Sequence, residues 1–177
     1  MTSVRTPDEP MAFTSQEFLR GTLASWLTFN GLFAVTLVVL GAVTHDPVWG
    51  SLSGALALLL IYVVPISLVV SGVVTLLCCG AAWALGRWLR RTPSPLRHLT
   101  GYAGLGAVIG GVVIGGYQLV TAHVVDLTNW FALLVLACSA AALPLGWGWA
   151  VRRARRVDAG LIRTPRVDPD AAADDVV

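Results

Sequence analysis

Two histidines and two aspartates are the side chains best placed to do chemistry in this 177-residue chain. His45 and Asp46 occupy one short polar break between long apolar runs, and His123 and Asp126 occupy another. Two imidazoles and two carboxylates would suffice for a tetrahedral zinc site if the two breaks met. The same residues have an ordinary use. Asp46 precedes Pro47 and Asp126 precedes a helix start, and aspartate commonly caps turns and helix N-termini. The four are therefore carried forward as a candidate external binding cluster, with no metal and no cofactor assigned.

Other reactive groups are scarce. Cys78, Cys79 and Cys138 show no CxxC spacing and no even set, so they read as small apolar packing residues. No Ser, Thr or Cys nucleophile has a base in identifiable sequence context. The chain reads as non-enzymatic, and a metal-dependent membrane enzyme would have to use the outer His/Asp groups.

The elements that must position these residues are set by composition. Hydrophobic residues make up 56% of the chain and charged residues 12%, with a mean hydropathy of +0.75. Soluble domains carry roughly a quarter charged residues, so the expected class is an all-α integral membrane protein. Four apolar stretches supply the crossings: 22–43, 52–85, 100–121 and 127–151. No Asp, Glu, Lys, Arg or His lies within them, which argues against proton relays and charged-substrate paths.

Sidedness follows from arginine, because the chain has no lysine and its twelve basic residues are all arginine. Arg5 and Arg20 precede the first stretch. Arg87, Arg90, Arg91 and Arg97 lie between the second and third, and Arg152, Arg153, Arg155, Arg156, Arg163 and Arg166 follow the fourth. The other two connections contain none. By the positive-inside rule this predicts two hairpins with both termini cytoplasmic in a cell membrane. The role in topology accounts for the arginines, so no nucleic-acid partner is inferred. Heavy use of Ala, Val, Gly and Arg without Lys points to a high-GC bacterial genome.

In detail, 1–13 reads as a disordered cytoplasmic tail, 14–157 as the transmembrane domain and 158–177 as a second disordered tail. Thr14 and Glu17 have capping-box spacing, so a helix should start there. The 52–85 run is too long for a straight crossing and carries Pro65. It reads as one kinked helix, because splitting it would move Arg87–Arg97 to the outer face. The seven tryptophans all fall near the proposed membrane surfaces, in the manner of aromatic belts.

The third stretch holds glycines 101, 104, 106, 110, 111, 115 and 116. Ala103, Ala107, Gly111 and Gly115 form a row at i, i+4 spacing, with Gly106 and Gly110 beside it. Small-xxx-small rows let membrane helices approach closely, so this helix is expected to be the one the others pack against. The expected function is helix–helix association within the lipid bilayer, as a homo-oligomer or as a subunit of a larger membrane assembly. The alternative is a channel or permease for a small neutral solute, lined by Asn30, Tyr62, Ser67, Ser71, Thr75 and Gln118.

Overall fold

The structure, a computed structural model, describes residues 9, 11–43 and 51–161. Those residues are all-helical, and four helices are long and apolar enough to cross a membrane. We label them α1 (Ser15–Val43), α2 (52–89), α3 (Pro95–Ala122) and α4 (Trp130–Asp158).

Helix α1 starts as the local sequence dictates. The Thr14 amide donates to Glu17 Oε2 at 3.0 Å and the Glu17 amide donates to Thr14 Oγ1 at 3.1 Å. This reciprocal pair satisfies two of the amides that a helix start leaves free. Helix α4 is capped by Asn129, whose side chain accepts from the Ala132 amide at 2.9 Å. It ends where Gly160 adopts a positive φ of 71°, a conformation glycine takes at little cost.

Helix α2 is one continuous element of three parts: Leu52–Leu58, a π-helical stretch Leu59–Val63, and Val64–Leu89. Proline has no amide hydrogen, and its ring clashes with the carbonyl four residues back, here Ile61. A wider turn immediately before Pro65 absorbs that clash, with the Val64 amide reaching back to the Leu59 carbonyl. The helix is continuous through Pro65, and its irregularity is a local widening.

Packing departs from the sequence expectation in its hub. Helix α4 lies against both α1 and α3, and those two contacts dominate the fold, whereas α2 touches α1 and α3 sparsely. The residues that allow this are small and on α4. Ala132, Cys138, Ser139, Ala142, Gly146 and Ala154 are all buried. At Gly146 a β-carbon would collide with Ser25, and at Gly21 it would meet Ala150 Cβ at 3.3 Å. The α1–α4 approach is closest there. Near the opposite end, Phe33, Leu37, Leu134 and Cys138 form a buried cluster, with Phe131 edge-on to Phe33.

Helix bounds also shift. Pro95 lies in the first turn of α3, which begins about a turn before the expected residue 100. The stretch before α1 is not a free tail where it is described. Met11 and Ala12 are buried, and the Met11 amide donates to the Arg90 carbonyl at 3.2 Å. Residues 1–8, 10 and 162–177, which cover most of the two expected tails, lie outside the described residues.

Candidate functional site

Because α2 stands off from the other three helices, a cavity of about 410 Å³ runs between them. That lies within the roughly 300–1,000 Å³ of pockets that hold small molecules. Its walls come from all four helices: Trp26 and Phe29 of α1, Val70 and Thr75 of α2, Ile109 and Val113 of α3, Val135 and Ala142 of α4. Apolar side chains dominate.

One polar network crosses the cavity wall and ties α2 to α1. Asn30 is buried; its Oδ1 accepts from Ser67 Oγ at 3.1 Å and Ser71 Oγ at 3.3 Å. Its Nδ2 donates to the Trp26 carbonyl at 2.9 Å and lies 3.0 Å from Ser71 Oγ. Trp26 Nε1 also donates to Ser71 Oγ, at 3.0 Å. Ser67 and Ser71 have further acceptors in the carbonyls of Val64 and Leu68. Buried polar groups bonded this fully fix the register of two helices in an apolar setting.

The arginine-bearing end of the cavity is covered by a strap, Glu9 and Met11–Phe13. Glu9 Oε1 lies 3.1 Å from Arg90 Nε and 3.8 Å from Arg91 Nε. Arg155 Nη2 donates to Met11 Sδ at 3.7 Å. Phe13 and Phe18 both meet Trp83 edge-on, with ring centroids 5.0 and 4.9 Å away. Met11, Ala12 and Phe13 line the cavity from this end.

The two small-residue rows anticipated on α3 differ in what they meet. Gly106 and Gly110 are buried against α4, and a β-carbon on Gly106 would collide with the Ser139 carbonyl. Ala103, Ala107, Gly111 and Gly115 are only partly buried. Gly111 and Gly115 have ordinary room, their nearest neighbours 3.7 Å from a β-carbon. The buried set of α3 is His98, Tyr102, Gly106, Gly110 and Ile114, an unbroken i, i+4 ridge.

His98 belongs to that ridge, although it precedes the apolar stretch 100–121. It is 2% exposed and stacks on Trp147 with centroids 4.9 Å apart. Its Nδ1 donates to the Ser94 carbonyl at 3.1 Å, and its Nε2 is buried without a hydrogen-bond partner. Extending the Gly106–Gly110 row back by two steps of four would have found it.

The external cluster divides. His45 and Asp46 lie outside the described residues. His123 is the exposed left-handed residue that ends α3, with φ 55°. Asp126 Oδ1 accepts from the Thr128 amide at 2.8 Å and its hydroxyl at 2.6 Å. These bonds hold the Asp126 carboxyl below its ordinary value. Among the described residues no group of three His, Cys, Asp or Glu could hold a metal ion.

Of the expected solute path, Ser67, Ser71 and Thr75 line the cavity, and Asn30 stands behind the two serines. Tyr62 is 60% exposed on the outside of α2. Gln118 closes the α3–α4 turn, bonding both the amide and the carbonyl of Asp126. No protein-family model, curated protein or solved structure matches this chain.

Proposed function

We propose that this chain is a multi-pass membrane protein without catalytic machinery. Its work is helix association through the open face of α2, as a homo-oligomer or as a subunit of a larger assembly. The confinement of the arginines to the two terminal segments and the α2–α3 connection supports a cytoplasmic location for all three. One observation carries the reading. Helices α1 and α3 each pack against the small-residue faces of α4, while the apolar window of α2 contains no buried residue. Its outer side presents Val69, Val73, Leu76 and Leu77. Association in lipid rests on van der Waals packing between helices, and α2 is the helix with packing surface left over.

Cysteine cross-linking in native membranes tests this. Cys78, Cys79 and Cys138 are replaced by alanine, and single cysteines are placed at Leu77 on α2 or at Val112 on the exposed side of α3. The expected result is an adduct from the Leu77 position, with itself or with a partner chain. Equal or greater adduct from Val112 would contradict the reading.

A channel or permease for a small neutral solute is the second reading, favoured by the cavity with Trp26, Ser67, Ser71 and Thr75 on its walls. Flux into reconstituted vesicles tests it. Permeability no higher than in empty vesicles removes it.

A further inference from the structure

The strap that closes the cavity has a chemical order. It begins with a carboxylate, Glu9, seated on the guanidinium groups of Arg90 and Arg91, and continues with apolar Met11, Ala12 and Phe13 facing into the cavity. An anion on arginines followed by hydrocarbon in an apolar cleft is also the layout of a membrane lipid at a basic helix-bundle surface. We propose that the cavity binds one hydrocarbon chain of an anionic phospholipid, with its phosphate on Arg90 and Arg91 in place of the Glu9 carboxylate.

Three features support this occupant. The first is charge: Arg87, Arg97, Arg152, Arg153, Arg155 and Arg156 belong to the same end of the bundle, which favours an anionic over a zwitterionic headgroup. The second is length. The α2 wall of the cavity runs from Val63 to Ala82, a rise of about 28 Å at 1.5 Å per residue. That accommodates a chain from one leaflet, which is about half of a hydrocarbon core roughly 30 Å thick. The third is the chemistry of the wall. The hydroxyls of Ser25, Ser67 and Ser71 donate to carbonyl oxygens within the bundle, and Trp26 Nε1 donates to Ser71. Most of what remains facing the cavity is hydrocarbon. The strap then acts as an internal competitor, and its departure uncovers the arginine end of the cleft.

Native mass spectrometry of the full chain in mild detergent tests this, with dioleoyl-phosphatidylglycerol and dioleoyl-phosphatidylcholine titrated separately. The expected result is one phosphatidylglycerol retained several-fold more tightly than phosphatidylcholine. The double variant R90Q/R91Q should bring the two lipids level, and E9Q should tighten phosphatidylglycerol several-fold by loosening the strap. V113F and V74F, which fill the cavity from facing walls, should each abolish the retained lipid in protein that still elutes as a helical monodisperse species. Equal binding of the two lipids by the wild type would overturn the proposal. So would a preference that survives both cavity-filling variants, since the lipid would then sit on the outer surface alone. Weaker phosphatidylglycerol binding by E9Q would refute the competitor role of the strap.

Discussion

The close approach of α3 to α4 at Gly106 gives a prediction whose sign differs from that of neighbouring glycines. A β-carbon at Gly106 would fall 2.8 Å from the Ser139 carbonyl carbon and 3.1 Å from Ala140 Cα, with the Ser139 oxygen closer still. Backbone cannot yield as a flexible side chain can, so the two helices must separate by a sizeable fraction of an ångström. A gap of 0.5–1 Å already forfeits about a quarter to a half of each dispersion contact across the interface. With the usual cost of overpacking, Gly106→Ala should destabilise the fold by about 1–3 kcal/mol. Gly111→Ala meets Leu136 Cδ2 at 3.7 Å, and Gly104→Ala meets nothing within 4 Å. Alanine is the better helix former by about 1 kcal/mol in water, so these two should be neutral or stabilising. Reversible unfolding in mixed micelles of dodecyl maltoside and dodecyl sulfate, followed by tryptophan fluorescence, reads all three. A loss in Gly111→Ala equal to that in Gly106→Ala would refute the assignment of the packing face.

Three further outcomes are expected. Asn30→Ala removes the main polar link between α1 and α2, but Ser67 and Ser71 keep their carbonyl acceptors. The loss in the same micelle assay should therefore be about 0.5–2 kcal/mol, and N30A/S71A should be less than additive. Pro65→Ala should let the π-helical stretch relax to α-helix, turning 52–58 by about 100° relative to the rest of α2. A β-carbon on Gly41 lies 3.2 Å from Leu59 Cδ1, so a G41C/L59C pair should cross-link in the parent and lose most of that cross-link in P65A. The Asp126 carboxyl is held low by the Thr128 hydroxyl, by the Thr128 amide and by a bond to Asn129. Its folded value lies below its unfolded one, so the contribution is full above the ordinary carboxylate range and is lost as pH falls through the folded value. Normalised hydrogen-exchange protection of residues 123–129 should fall on acidification below about pH 4, and D126N should abolish that dependence.

What the sequence disclosed depended on how local the cause was. The Thr14–Glu17 cap needs residues three apart and was legible. So was the continuity of the helix through Pro65, which the placement of the arginines favoured over two short helices. The strap was not legible, since Glu9 finds Arg90 across eighty-one positions, and its short apolar run looks like any tail. Glycine content correctly marked α3 as a close-packing helix, but composition cannot say which face meets a neighbour. Deciding that required Ser139 and its neighbours on α4. The orientation of the tryptophans was not legible for a similar reason. Trp26, Trp83 and Trp147 turn inward to Ser71, Phe18 and His98, whereas Trp88 and Trp130 are exposed as belt residues should be. The start of α3 lies outside its apolar stretch, at Pro95, where a proline in the first turn of a helix is a start signal.

Four crossings with every arginine on one side is the premise on which the open face of α2, the cavity and the lipid site all depend. Alkaline phosphatase and green fluorescent protein fused after Ser94 and after Leu161 measure it directly. Fluorescent, phosphatase-inactive fusions at both positions are predicted. Phosphatase activity from the Ser94 fusion would mean that 52–89 does not cross once, and would contradict the arrangement.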